Sequence, residues 1–316
     1  MFLVVFWIAL FLHGSKTGFY NYLYSFLFGL IPLIGGMVAM TRVRRWGGFK
    51  SAVGKAIFFI GAGLSLWGTG DSIWAYYNFF LHIGVPYPSL ADVAFLPSIF
   101  FYGLGTVYLA KATGLKIVLE NRYAKIFAAV ATTIVFLVSY YVLVIVARGG
   151  VLISSDSTLT KTILDIAYPL GDFVSLMLAV VISGFAFRYL KSKYRYDIIA
   201  VLMGLAVMFV GDAVFSYTTT INTFYNGSVE DLIFTIGMFL LTFGVLGFYT
   251  PQENRGSSPD MSIYGNSVVF TSAADDFALV VENKELAEAL RKGFLTSFFH
   301  WIRGIKNLGQ NQTFAS

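Results

Sequence analysis

The chain has 316 residues, of which 57% are apolar, 18% aromatic and 12% charged, roughly half the charge of an ordinary soluble domain. That composition, with a mean hydropathy of +0.72, excludes a soluble enzyme, a disordered chain and a nucleic-acid module. It leaves an all-α, multi-span membrane protein whose first partner is the lipid bilayer.

In chain order, the residues before about 17 are apolar but too short to cross a bilayer. They lack a basic leader and a small-residue cleavage pattern, so they read as an outer extension broken at Gly14. Seven stretches of about 20 apolar residues follow, each long enough to span. They are predicted at Gly18–Met40, Gly54–Tyr77, Asp92–Lys111, Ala124–Val146, Asp165–Phe187, Ile198–Tyr217 and Asp231–Thr250. Lipid offers no hydrogen bonds, and continuous apolar runs without alternation choose helices over a barrel. Residues 251–282 form a polar linker in which Ser267–Thr271 and Phe277–Val281 could pair as short strands. From Asn283 an amphipathic helix is predicted to about Lys306. Its apolar residues include Phe294, Phe298 and Trp301, and Arg291, Lys292 and Arg303 supply a basic side. That pattern suits a helix on an anionic inner leaflet or one docked to a cytoplasmic partner.

The net charge of +5 is unevenly placed. Fourteen Lys and Arg fall in the first, third and fifth connections and just after the seventh span, against three (Lys16, Arg148, Lys161) on the other side. The positive-inside rule then puts the N-terminus outside and the C-terminus in the cytoplasm of a prokaryotic plasma membrane.

The second span ends Gly70-Asp71-Ser72-Ile73-Trp74-Ala75-Tyr76 and the sixth ends Gly211-Asp212-Ala213-Val214-Phe215-Ser216-Tyr217. The next helix begins with Asp92 in one case and Asp231 in the other, 21 and 19 residues after the earlier Asp. Together these point to a three-helix unit used twice around a linking helix, a 3+1+3 arrangement with parallel repeats.

With this topology eight acids collect at the outer side. Asp92, Asp165 and Asp231 begin spans and read as N-cap or first-turn acids on an outer rim. Asp71 and Asp212 sit about 9 Å inside their helix ends, and Asp172 lies two turns down the fifth span. Acids at such depth face the bundle interior and have a role there, either a structural hydrogen bond or a ligand, cation or proton site. Trp74, Tyr76 and Tyr217 would line this mouth, and aromatic faces beside carboxylates suit a cationic ligand. Asn226-Gly227-Ser228 is an N-glycosylation triplet on the same side.

No metal site and no cofactor is expected: there is no cysteine, only three histidines, no phosphate-binding loop and no lysine in the seventh span for a retinal Schiff base. No catalytic motif is present, so an enzyme is not expected.

Tyr87-Pro88-Ser89-Leu90-Ala91-Asp92, Tyr168-Pro169-Leu170-Gly171-Asp172, Gly211-Asp212-Ala213-Val214-Phe215 and Gly227-Ser228-Val229-Glu230-Asp231 occur in that order. This series resembles the multi-span N-terminal sensory membrane domains of bacterial diguanylate cyclases, phosphodiesterases and histidine kinases. The resemblance covers about residues 52–247 and implies a receptor-like role in signal transduction. The departure is that no G-G-D-E-F, E-A-L or kinase motif follows the seventh span, so a signal would pass through a partner protein. A 3+1+3 transporter of a small solute or cation, and an accessory subunit of a membrane complex, are the other expectations.

Overall fold

The computed structural model describes residues 2–112, 122–153, 158–189, 194–248, 260–264, 267–272, 277–282, 284–285, 287–290 and 292. The chain divides into two compact units, Met1–Thr250 and Pro251–Ser316.

The first unit is helical. The helices are α1 Phe2–His13, α2 Phe19–Arg42, α3 Ala52–Phe79, α4 Asp92–Ala112, α5 Arg122–Tyr140, α6 Leu159–Tyr189, α7 Arg195–Thr220 and α8 Val229–Gly247. The seven from α2 to α8 are long and apolar enough to cross a membrane, which makes the chain a multi-pass membrane protein. The apolar start forms a helix of its own: α1 has 12 residues, about 18 Å by helix rise, too short to span. Gly14, at φ 74°, ends it. Trp7 then anchors it by donating to the Ser228 carbonyl at 2.9 Å.

The bundle is built on small residues. On α2 the buried face carries Ser25, Gly29, Pro32, Gly36 and Ala39, while Ile34 and Met37 face outward. With lipid as apolar as the side chains, helices gain by letting backbones approach, and small residues permit it. Around the bundle α2 packs on α3, α3 on α4, α4 on α6, α6 on α7, α7 on α8, and α8 back on α2. Helix α5 lies outside this ring against α6, and its last turns widen into a π-helix, Tyr141–Val146, that touches α7. Exchanging α2 with α6, α3 with α7 and α4 with α8 maps the ring onto itself.

The α3–α4 and α7–α8 pairs also match residue for residue. A Cβ at Gly70 would lie 2.7 Å from the Phe95 ring, and one at Gly211 would lie 2.7 Å from the Phe234 ring. One heptad earlier Gly63 faces Tyr102, and Gly204 faces Leu241; in return Gly105 meets Ile60 and Gly244 meets Val201. The shifts are 141 residues in the first helix of each pair and 139 in the second. These are the shifts that relate Asp71 to Asp212 and Asp92 to Asp231, so the sequence motif and the close helix contact are one feature.

The second unit holds an antiparallel sheet in the order β1 (Asp260–Tyr264), β2 (Ser267–Ser272) and β3 (Phe277–Glu282). Val268 of β2 and Ala287 are buried. Lys292 is helical and exposed. Arg291, Phe294, Phe298, Trp301 and Arg303 lie outside the described residues.

Candidate functional site

The helices of the ring enclose a cavity of about 610 Å³. Its wall begins at the loops after α3, α5 and α7 and runs down to Tyr102, Leu205 and Met208. Six carboxyls line it: Asp71, Asp92, Asp165, Asp172, Asp212 and Asp231. Arg148 and Lys161 are the only cations among its lining residues.

Each acid is held differently. Asp92 belongs to a capping box, Ser89-x-x-Asp92. The Ser89 amide donates to Asp92 Oδ2 at 2.6 Å, and Ser89 Oγ accepts from the Ala91 amide at 3.2 Å. Ser228-x-x-Asp231 repeats the spacing at the start of α8, where Asp231 Oδ2 accepts from the Gly227 amide at 2.6 Å and from Ser25 Oγ at 2.7 Å. Of the two expected positions, N-cap or first turn, Asp92 and Asp231 take the first turn. They are acids three residues after the caps Ser89 and Ser228, reaching back to the chain before the helix.

Asp165 takes neither position, because α6 begins at Leu159, more than a turn earlier. It is 7% exposed and receives the Tyr87 hydroxyl at 3.0 Å, while Arg148 stands 3.6 Å from its carboxylate and bonds its carbonyl at 3.0 Å. The Tyr168 hydroxyl donates in turn to Asp92 at 2.6 Å. The two Tyr-Pro motifs thus interlock, each tyrosine serving an acid on the other segment. Tyr87 sits half-exposed in the loop before α4, and its partial burial, followed by its bond to Asp165, pushes its phenol above the usual range.

Deeper in the cavity the carboxyls of Asp172 and Asp212 face each other within hydrogen-bonding reach. Asp71 is the exception. It is 6% exposed, and its Oδ2 is buried with no hydrogen-bond partner. That oxygen lies against Gly29 of α2, in the space a β-carbon would fill.

Aromatic rings form the rest of the wall. Trp67 stands one turn before Asp71 and packs against Phe28 and Phe234, both at 5.8 Å. Trp74 stands one turn after and packs against Phe215 at 6.0 Å and Phe224 at 5.9 Å. Trp74 Nε1 also donates to Asn226 Oδ1 at 3.0 Å. Asn226 is thereby part of the cavity wall, and with Ser228 buried the glycosylation triplet is turned inward.

The expected site residues Asp71, Asp172, Asp212 and Trp74 meet in this cavity, and the three rim acids join them. Tyr76 and Tyr217 do not. They are 51% and 44% exposed and lie outside the lining, because each is five residues after its Asp, about 140° around the helix. The residue three after the Asp faces inward instead, Trp74 in one half and Phe215 in the other. Sequence reasoning missed Tyr87, Tyr168, Ser25, Trp67 and Arg148. Tyr87 and Tyr168 were signalled by their repeated Tyr-Pro, and Arg148 by being one of three bases on its side.

No protein-family model, curated protein or solved structure matches the chain.

Proposed function

We propose that this is a receptor-like sensory protein of the cell membrane, binding a small ligand in the acidic-aromatic cavity and signalling through a cytoplasmic protein partner. The observation that carries this reading is convergence: four motifs scattered over about 140 residues of sequence all place side chains on one cavity wall. Those are the motifs that resemble bacterial sensory membrane domains. A cavity of this size suits a small molecule, since ligand sites commonly hold about 300–1,000 Å³.

The orientation rests on charge. The cavity mouth is formed by the connections poor in Lys and Arg, so the positive-inside rule turns it outward, with the N-terminus outside and the C-terminus in the cytoplasm. The chain has no cysteine, which makes the test direct. A membrane-impermeant maleimide applied to intact cells labels His82→Cys and leaves Arg45→Cys unlabelled. The opposite labelling would reverse the cavity's direction.

Ligand binding is tested by thermal stability of the purified full chain against a panel of metabolites and ions. Saturable stabilisation by one chemical class supports the reading, and a flat response across the panel contradicts it. A second reading, a transporter, is favoured by one observation, the matched halves of the ring around a central cavity. Solute uptake into liposomes carrying the protein would move the assignment to transport.

A further inference from the structure

Most carboxyls in the cavity wall are accounted for by the protein itself. Asp92 takes Ser89 and Tyr168, Asp165 takes Tyr87 and Arg148, Asp231 takes Ser25 and the Gly227 amide, and Asp172 and Asp212 take each other. Asp71 has an oxygen left over, more than nine-tenths buried and without a partner. A buried polar group in that condition is costly unless something else satisfies it. Asp71 also lines the cavity, so a ligand there reaches the carboxyl on the side that Gly29 does not cover.

The surroundings specify the chemistry. Asp71 lies between Trp67 and Trp74 on one helix face; three phenyl rings back the first indole and two the second. Asp231 lies in the same wall. An aromatic enclosure around a carboxylate attracts a cation whose shell is hydrocarbon rather than water. A metal ion needs several oxygen ligands converging on one point. Among the described residues no three His, Cys, Asp or Glu are so placed; the carboxyls are spread along the wall.

We infer that Asp71, with Trp67 and Trp74 on either side, binds the ammonium group of a small organic amine whose hydrocarbon body lies along the aromatic wall. This rests on reading the cavity as a ligand site and adds the class of ligand and the group that recognises it. Gly29 is part of the arrangement, since any side chain there would occupy the volume of the carboxyl.

The test uses the full chain in detergent, with tryptophan fluorescence and thermal stability as readouts. The probes are phenethylamine, tetraethylammonium and 1,4-diaminobutane, set against the neutral isosteres 2-phenylethanol and 1,4-butanediol. At least one ammonium probe binds saturably, and about tenfold or more tightly than its neutral counterpart. Asp71→Asn removes most of that preference at unchanged melting temperature, and Trp74→Leu weakens the amine more than the alcohol. Equal binding of charged and neutral probes, or an unchanged preference in Asp71→Asn, overturns the inference. If Asp71→Asn does not fold, the wild-type comparison and Trp74→Leu decide alone. Stabilisation by neutral or anionic metabolites, with no response to any ammonium probe, also overturns it while leaving the receptor reading in place.

Discussion

The two helix pairs α3–α4 and α7–α8 share a skeleton and differ in how they treat the acid at its centre. In both, a Gly-Asp step puts the glycine under a phenylalanine ring of the next helix and the carboxyl into the cavity. On one side Asp212 meets Asp172 from the neighbouring helix. On the other Asp71 faces Gly29, which offers space and no donor. The difference teaches that the repeat governs backbone approach, while side-chain partners are set by the less repetitive helices α2 and α6. Packing between helices tolerates few alternatives, whereas a polar group in a cavity can be satisfied by a neighbour or by a ligand.

The largest expected effect breaks what the halves share. Gly70→Val and Gly211→Val push carbon into a phenylalanine ring and destabilise by about 2–3 kcal/mol each, read as a matched loss of melting temperature. A much larger loss in one than in the other would mean that the two contacts are not equivalent. Gly29→Ala acts on one half alone. Its methyl occupies the place of the Asp71 carboxyl, at a cost of about 1–3 kcal/mol. Most of that cost disappears in an Asp71→Ala background if the two groups compete for one space; additive losses would refute the contact.

Smaller still, Arg148→Ala leaves Asp165 with Tyr87 alone and lowers stability by about 1–2 kcal/mol in this partly buried setting. Asp165→Asn in the same background restores part of it if the loss came from an uncompensated charge, and no recovery would place the loss in packing. The smallest effect is a pH dependence. The Tyr87 phenol is held above its usual range, so its contribution to stability is complete below about pH 10 and is lost as pH climbs beyond that value. Tyr87→Phe therefore shows a shallower fall in melting temperature above about pH 10 than the wild type. Identical slopes would remove Tyr87 from the linkage.

Much of the architecture was legible because a bilayer demands long apolar helices, and the Gly-Asp echo between the second and sixth spans could be read before its packing was known. In the sequence Thr160, Lys161 and Thr162 read as a connection, which starts the fifth span late, at Asp165. The helix continues through them, and Lys161 faces the cavity rather than lipid. The deep acids were found by their cost in an apolar run. Tyr76 and Tyr217 are near the acids in sequence, but the helical phase carries them to the outside. Arg148, Tyr87 and Tyr168 went unassigned because their acids lie 17, 78 and 76 residues away, and no local pattern encodes a pairing of that kind.

The central claim is that the halves differ in one respect that matters for ligand binding: Asp71 has an oxygen without a protein partner, and Asp212 faces Asp172. A fluorescence titration of the purified full chain with phenethylamine, comparing wild type, Asp71→Asn and Asp212→Asn at matched melting temperatures, measures this directly. The account expects Asp71→Asn to weaken binding by about tenfold or more, and Asp212→Asn to change it by less than about threefold. Equal losses in the two variants, or a greater loss from Asp212→Asn, would contradict it.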